Sequence, residues 1–245
     1  FKKLVSQEYP KYNNLLNKIP ESTSFMYMFV NLDGEPETMD LKSSNIWVWP
    51  ERDYDKMIDT FMDNPYKNPM PFFIACSCAK DSTWKERFPG KSNAIVLTIG
   101  SKDWFSQWEN QKCMKRGGGY ESLKEAFAER MLEEGLYKHY PKTRGNVTHY
   151  DIGTPLTNQH YLGAYSGEAY GLDSTPYRYS KALSLKPKTS IKNLYLTGQD
   201  ICTLGFTGAL MGGVLTTHSI LGYGTIADLM LGRNFITDLK NMEFK

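Results

Sequence analysis

Small residues and an acid lie near the carboxyl end of the chain. Gly198, Gln199 and Asp200 follow the apolar stretch 194–196, which has the character of a short strand. Ligands of open α/β sheets bind at the carboxyl ends of strands. A glycine there lets the backbone approach a ligand closely, and a carboxylate accepts hydrogen bonds from sugar-like hydroxyls. We therefore expect residues 198–200 to bind a ligand.

A second group of small residues opens the next segment. Gly205, Thr207, Gly208 and Ala209 precede a run with helical character. The start of a helix exposes backbone N–H groups, and these groups and the helix dipole favour an electron-rich or anionic partner. Together, the two groups of residues predict a site for a ribityl chain and for the electron-accepting end of a flavin ring.

The segment 201–227 contains no Asp, Glu, Lys or Arg, and it is long enough to span a bilayer. Its many glycines, its few large apolar residues and the lack of an asymmetry between flanking Lys and Arg residues argue against a membrane span. Glycines at 208, 212 and 213 have the spacing of close packing on one helix face. We expect residues 206–229 to form a helix packed inside the protein. A buried helix without a ligand, or a simple turn at the glycines, are the alternatives.

The elements that position these residues follow from the periodicity of apolar residues. Strands are predicted at 25–30, 45–50, 70–79, 93–100, 146–155 and 193–198. Helices are predicted where Tyr54, Met57, Ile58 and Phe61 share a face, at 102–109, and, after a hinge or loop at 117–119, up to residue 141 with a stripe of Leu123, Phe127, Met131 and Leu132. Because strands and helices do not alternate regularly, a mixed α/β (α+β) fold with a mixed or antiparallel sheet is favoured.

Composition excludes several classes of site. The net charge of +2 is spread along the chain, so no nucleic-acid partner is expected. Cys76 and Cys78 lie in a predicted strand and are interpreted as reduced structural thiols. No metal site is predicted, because neither the cysteines nor the four histidines have ligand spacing. The first twenty residues contain no signal-peptide hydrophobic run.

The stretch "NLYLTGQDICTLGFTGALMGG" (193–213) resembles the C-terminal flavin motif of a known family. This family is the phytoene desaturase, carotenoid isomerase and retinol saturase group of amine-oxidase-like flavoproteins. The stretches "AKDSTWKERFPGKS", "WFSQWE" and "GTPLTNQHYLGAYSGEAYGLD" resemble the retinol saturase subgroup. The resemblance covers roughly residues 20–245.

The resemblance implies an FAD-binding Rossmann-like fold with a mixed-sheet substrate domain. Residues 1–150 would be the substrate-domain sheet and helices, and residues 151–245 the C-terminal FAD-binding segment. The chain contains no G-x-G-x-x-G fingerprint after a strand. It therefore looks like the C-terminal half of such a protein, and we expect an N-terminal half or an assembly partner to complete the FAD site. Alone, the chain is expected to bind FAD weakly or not at all.

The family motif assigns cofactor and substrate residues by position. Those expected on the ribityl and pyrophosphate side of FAD are Gly198, Gln199 and Asp200. Those expected beside the flavin ring are Gly205, Thr207, Gly208, Ala209 and Leu210. The substrate pocket is expected to contain Tyr161, Tyr165, Tyr170 and Gly171, with ordinary packing as the alternative for the tyrosines. His160 is interpreted as pocket wall or packing, and no catalytic residue is assigned.

The resemblance also implies a reaction: hydride transfer between the flavin and a carbon of a long polyene. Saturation of a double bond is the leading interpretation, ahead of isomerisation by reduced FAD and of desaturation. NAD(P)H is the expected reductant. A lipophilic polyene implies peripheral membrane contact and a membrane-associated organelle, either endoplasmic reticulum or plastid. The alternative from another class is a non-catalytic, flavoprotein-like subunit of a larger assembly.

Overall fold

The structure, a computed structural model, describes residues 17–180, 185–222 and 224–232. The chain divides into two compact units. The first, which we call the sheet unit, is Thr23–Ala169, and the second, the loop–helix unit, combines Phe1–Ser22 with Tyr170–Lys245. The predicted division into 1–150 and 151–245 concerns the roles of the two parts and stays a prediction.

The sheet unit is built on a five-stranded sheet in the order β2-β3-β4-β1-β5. Every neighbouring pair is antiparallel, so the prediction of a mixed α/β fold with an antiparallel sheet is confirmed. The strands are β1 (Ser24–Asp33), β2 (Ile46–Val48), β3 (Phe72–Ala75), β4 (Lys91–Gly100) and β5 (Val147–Gly153).

Strand β1 shows why the sheet has a buried face. Met26, Met28, Val30 and Leu32 alternate with more exposed residues and are almost completely buried. Side chains two residues apart point to the same face of a strand. These four residues form part of the core, against which helices of the sheet unit pack.

The helices form where the apolar stripes predict them, but one of them begins at Gly117, so the hinge or loop predicted at 117–119 is wrong. The first helix begins after Asp53, whose side chain accepts a hydrogen bond from the Lys56 amide. Its Met57 and Phe61 are buried, but Tyr54 is exposed and does not join the stripe. The helices are α1 (Tyr54–Asp63), α2 (Trp84–Arg87), α3 (Gly117–Arg130), α4 (Tyr137–His139), α5 (Pro155–Leu162), α6 (Pro176–Ser180), α7 (Gly205–Leu221) and α8 (Thr225–Met230).

Shorter helical segments connect these elements. The amphipathic segment predicted at 102–109 is a 3-10 helix, and a π-helical turn follows α3 within the predicted long helix. Gly135 lies in this π turn, where a Cβ atom would come within 3.3 Å of the Phe72 ring. The segments are Ser77–Ala79, Lys102–Trp108, Pro141–Thr143 and Gln199–Ile201 (3-10) and Met131–Leu136 (π).

Two predicted strands are wrong in part. Strand β3 ends at Ala75, and Cys78 lies in a 3-10 turn in which the Lys80 amide donates to the Ser77 carbonyl. The amide of Cys78 donates instead to the side-chain Oδ1 atom of Asn93, at 2.9 Å. The stretch 193–198 forms only an isolated bridge between Lys188 and Tyr195. In both places turn bonds and side chains satisfy the backbone groups, so no strand partner is needed.

Burial makes the thiol of Cys76 a poor nucleophile. Loss of water around it, reinforced by the neighbouring Cys78, raises the pKa of Cys76 from 9.0 to about 12. We expect iodoacetamide at about pH 8 to modify Cys113 and Cys202, which are half-buried, and to spare Cys76 and Cys78. Peptide mass spectrometry measures this, with denatured protein as the control in which all four react.

The same shift has a consequence for stability. Since the folded pKa of Cys76 lies above the unfolded one, the stabilising effect of burying its neutral thiol is complete below pH 9.0 and is lost as the pH rises toward 12. Rapid modification of Cys76 in the native protein would contradict the assignment of a buried, neutral thiol.

Candidate functional site

The loop before α7 is closed by the side chain of Gln199. Its Oε1 atom accepts a hydrogen bond of 2.8 Å from the amide of Gly205, the first residue of α7. The bond joins the two groups of small residues that the sequence predicts to act together. Leu204 occupies the N-cap position and makes no side-chain capping bond, so the amides that follow Gly205 open an uncapped helix.

Arg178 in α6, which no sequence pattern predicts as a site residue, holds this loop to a second segment. Its side chain is 1% exposed. The guanidinium donates to the carbonyls of Gln199 at 2.9 Å and Asp200 at 3.1 Å. It also donates to those of Leu172 and Asp173. A guanidinium presents five donors in a rigid plane, so one side chain can fix both segments.

Asp200 and Gly171, predicted in different sites, lie together. Asp200 Oδ1 accepts a hydrogen bond of 3.0 Å from the Leu172 amide. Gly171 has a φ of +66°, and a Cβ atom there would lie 2.4 Å from the same oxygen. Gly171 is therefore required for the backbone to reach the carboxylate.

One face of α7 packs directly on the loop. A Cβ atom on Gly208 would lie 1.5 Å from the carbonyl oxygen of Thr203, and one on Gly212 would lie 2.2 Å from that of Gly198. One turn further along, the Thr216 hydroxyl donates to the Leu196 carbonyl at 2.7 Å. The predicted close packing is confirmed at 208 and 212, whereas Gly213 has nothing within 4 Å of its Cβ position.

The other faces of α7 are exposed in the described residues, and the prediction of one continuous helix over 206–229 is wrong. Phe206 is 84% exposed and Leu210 57%. The helix ends at Leu221, and α8 follows a break at Gly222. An open apolar groove of about 300 Å³ is lined by Leu210, Gly213, Val214, Thr217, Thr225 and Leu229.

The predicted cofactor residues around the start of α7 fall into two groups, those in contact and those exposed. Gly198, Gln199, Gly205 and Gly208 build the junction between loop and helix through the contacts above. Thr207, Ala209 and Leu210 are exposed on the first turns of α7, where a ligand can reach them.

The predicted pocket tyrosines are divided between the units. Tyr161 and Tyr165 are exposed in the sheet unit. There Lys102 lies 5.6 Å from the Tyr165 ring centre and forms a 2.6 Å ion pair with Glu109. Tyr170 belongs to the loop–helix unit, where its ring lies 3.6 Å from the Cβ position of Gly205. The role of these residues as pocket walls stays a prediction.

Tyr179 is a further residue beside the loop, and no motif predicts it. Its hydroxyl lies 2.7 Å from the Ser174 hydroxyl and 3.4 Å from that of Thr203. These hydrogen bonds, with that of Ser174 the stronger, lower the pKa of Tyr179. The residue places a polar group at the edge of the loop that Gly208 contacts.

Neither a metal site nor a membrane span occurs in the described residues. Within residues 17–180, 185–222 and 224–232, no group of three or more His, Cys, Asp or Glu residues is arranged to hold a metal ion. None of the helices in this part of the chain combines the length and apolar character needed to cross a membrane.

Comparison with known proteins finds relatives that match most of this chain. No protein-family model matches the chain. An all-trans-retinol 13,14-reductase of Danio rerio is 39% identical over 222 residues, which are 88% of this chain and 36% of that protein. The Homo sapiens protein of the same name is 38% identical over 223 residues, which are 88% of this chain and 35% of that protein.

A third relative bears a different name. A Danio rerio protein called inactive all-trans-retinol 13,14-reductase is 30% identical over 240 residues, or 94% of this chain and 39% of that protein. The chain spans a little over a third of the length of these relatives. It is therefore a homologue of the all-trans-retinol 13,14-reductases over most of its own length, and the relationship to retinol saturases predicted from its motifs is confirmed.

Proposed function

We propose that the complete protein carrying this chain is an FAD-dependent oxidoreductase that saturates a carbon–carbon double bond of all-trans-retinol or a similar polyene alcohol. The observation that carries the proposal is the 35% to 39% identity to proteins named for that reaction, over 88% to 95% of this chain. Because the match covers about a third of those proteins, the activity is proposed for the complete protein.

The loop–helix unit presents hydrogen-bond donors and acceptors that suit a flavin. The uncapped start of α7 offers the amides of Phe206 and Thr207 to an electron-rich ring edge. The exposed Thr207 hydroxyl lies on the same turn. Asp200 uses one oxygen on the Leu172 amide, and a carboxylate has acceptor sites for further hydroxyls, such as those of a ribityl chain.

In this proposal the chain positions the reactants. FAD, when bound, supplies the hydride chemistry, with NAD(P)H as the proposed source of electrons. Gln199 and Arg178 keep the loop in place through the bonds to Gly205 and to the four carbonyls. Leu210 and the exposed residues around it present apolar surface that would exclude water from a polyene. We also propose peripheral membrane contact, because such a substrate dissolves in lipid.

Purified complete protein tests the proposal. We expect it to contain FAD and, with a reductant, to convert all-trans-retinol to a product heavier by one pair of hydrogen atoms. Chromatography with mass detection identifies the product, and the flavin spectrum measures the cofactor. A product of unchanged mass and altered double-bond geometry would instead establish an isomerase. Protein with neither flavin nor turnover would refute the proposal.

The inactive relative supports a second candidate function. A homologue at 30% identity over 94% of this chain is named as inactive, so this sequence pattern also occurs in a protein described as lacking the reaction. The second candidate is a non-catalytic subunit that keeps the fold. Stable association with another protein, together with the absence of turnover at full FAD occupancy, would favour it.

A further inference from the structure

Arg116, in the sheet unit, carries a buried positive charge. The residue is 8% exposed, and its Nε atom is buried without a hydrogen-bond acceptor in the described part of the chain. Its Nη1 atom donates to the Tyr120 hydroxyl, at 3.2 Å. Among the described residues, no carboxylate forms an ion pair with Arg116. Because buried charges in proteins are normally paired, this guanidinium indicates an anion from outside the described residues.

The starts of two helices lie beside this guanidinium. Arg116 is itself the N-cap residue of α3, which has no side-chain cap and no acidic residue in its first turn. The Tyr120 hydroxyl, which accepts the bond from Nη1, lies 2.7 Å from the hydroxyl of Thr154, the N-cap residue of α5. The N-terminus of a helix carries about half a positive charge. Both helices therefore add to the positive potential around Arg116 and do not compensate for it.

The first turn of α3 leaves room for a ligand. Gly117 and Gly118 are exposed, and neither has an atom within 4 Å of its Cβ position. Gly119 is also exposed, with the Trp108 ring 3.4 Å from its Cβ position. The first amides of a helix have no partner within the helix. Since no side chain covers these amides, a tetrahedral oxyanion can approach them closely.

The charged side chains around this turn are mostly basic. Lys112 and Lys115 are exposed in the loop that leads to Arg116. Lys124 lies 5.6 Å from the centre of the Tyr120 ring, and it forms an ion pair of 3.1 Å with Glu121. The acid that follows the first turn of α3 is therefore already paired with a lysine, and the buried guanidinium is not.

We propose that the start of α3 and the guanidinium of Arg116 form a binding site for a phosphate monoester. Helix amides and a planar guanidinium are donors that suit phosphate oxygens. A phosphate monoester carries a charge of about −1.5 to −2 near pH 7, which suits a site with a guanidinium, nearby lysines and two helix starts. The site contains none of the residues predicted to contact FAD or the polyene, so the inference does not rest on the proposed function.

Binding of glycerol 3-phosphate to the complete protein, in phosphate-free buffer, tests the site. We expect this ester to raise the melting temperature. Its Kd should rise about tenfold or more in Arg116→Met, the effect of losing a hydrogen bond to a charged group. Arg87→Met removes the same charge from an exposed residue that pairs with Asp81, and it should leave the Kd unchanged. Chloride at the same ionic strength is the control for screening.

A carboxylate built into the first turn should imitate the ligand. Gly118→Asp places a negative charge where a side chain has room and where the helix dipole favours it. We expect this variant to melt at a higher temperature than the unaltered protein when no ligand is present, and to lose the response to glycerol 3-phosphate. Gly118→Asn, which adds no charge, should raise the melting temperature less and should keep the response.

Vesicles distinguish a lipid headgroup from a soluble ester as the source of the phosphate. Phosphatidic acid presents the same monoester as glycerol 3-phosphate, whereas phosphatidylglycerol presents a diester. Sedimentation with vesicles of equal parts phosphatidylcholine and phosphatidic acid, weakened by Arg116→Met and absent with phosphatidylglycerol in place of phosphatidic acid, would identify a lipid headgroup. Binding of glycerol 3-phosphate without this preference among vesicles would identify a soluble ester.

Two results would overturn the inference. The first is that the unaltered protein and folded Arg116→Met bind glycerol 3-phosphate and the phosphatidic acid vesicles equally, or bind neither. The second is a marked fall in the melting temperature of ligand-free Arg116→Met. Removing a buried charge that has no partner should not destabilise the protein, so such a fall would show that another part of the polypeptide supplies the anion.

Discussion

Replacing Arg178 by Met is expected to destabilise the complete protein by about 3 kcal/mol or more, since the change leaves several buried acceptors without a donor. The guanidinium is almost completely buried and donates to the loop carbonyls of Gln199 and Asp200, at 2.9 Å and 3.1 Å, and to those of Leu172 and Asp173 in the second segment. Methionine fills a similar volume without a donor. The free energy of unfolding, from denaturant titration, measures the change.

A conservative variant and a surface variant serve as controls for Arg178. Arg178→Lys should recover only part of the stability, because an ammonium group cannot match the planar fork of donors. Arg144→Met removes an exposed guanidinium that pairs with Glu133 at 2.6 Å, and it should cost less than about 1 kcal/mol. Equal effects for Arg178→Met and Arg144→Met would show that the four carbonyl bonds contribute little.

Loss of Arg178 should also release the loop from the segment that holds it. We expect FAD content to fall in Arg178→Met even at temperatures where the protein remains folded, because Gln199 and Asp200 are both predicted cofactor residues. Full flavin occupancy in the folded variant would argue against a cofactor site at this loop. The free energy of unfolding and the FAD content of Arg178→Met thus test two separate roles of one residue, in stability and at the predicted cofactor site.

The importance of Arg178 could not be predicted from the sequence, and the reason is physical. Arginine is among the residues least often buried, and "STPYRYS" contains no periodic pattern that would place its side chain inside. Its partners are backbone carbonyls, which every residue possesses, so no complementary residue type reveals them. Such an anchor appears only when the path of the backbone is known.

Strands and helices with a strong apolar period could be predicted. The alternation along β1 and the stripe through Phe127 and Met131 reappear as buried faces. The stretch 193–198 failed because periodicity does not specify which partner completes the backbone bonds. There the Leu196 amide donates to Pro187, and the Leu196 carbonyl accepts the Thr216 hydroxyl, so a helix side chain replaces a neighbouring strand.

The glycines of α7 show a second limit. Their spacing indicated close packing at 208, 212 and 213 alike, but sequence spacing of four residues selects a face without saying what lies against it. The structure places loop backbone against Gly208 and Gly212 and open space beside Gly213. The predicted contact of Gly208 with a flavin ring stays a prediction, since the atom nearest its Cβ position is the carbonyl oxygen of Thr203.

Gly208→Ala is expected to destabilise the flavin-free complete protein by about 3 kcal/mol, at the upper end of the usual cost of overpacking. The added methyl group would lie 1.5 Å from the Thr203 carbonyl oxygen, so either the loop or the start of α7 must move. Backbone cannot rotate aside as a flexible side chain can. Thermal unfolding of the flavin-free protein measures the effect.

Gly213→Ala in the same helix is the matched control. Its Cβ position has no atom within 4 Å, and alanine favours a helix over glycine by about 1 kcal/mol, so this variant should be as stable as the unaltered protein or more so. Opposite changes in stability in the two variants would establish that the contact with the loop, and not helix propensity, requires glycine at 208. If Gly208→Ala instead keeps the stability of the flavin-free protein and loses only FAD, glycine is required at 208 because it leaves room for the flavin ring. A shift of the loop would lower both the stability and the FAD content, because Thr203 and the predicted cofactor residues Gly198 to Asp200 belong to the loop that the Gln199–Gly205 hydrogen bond closes.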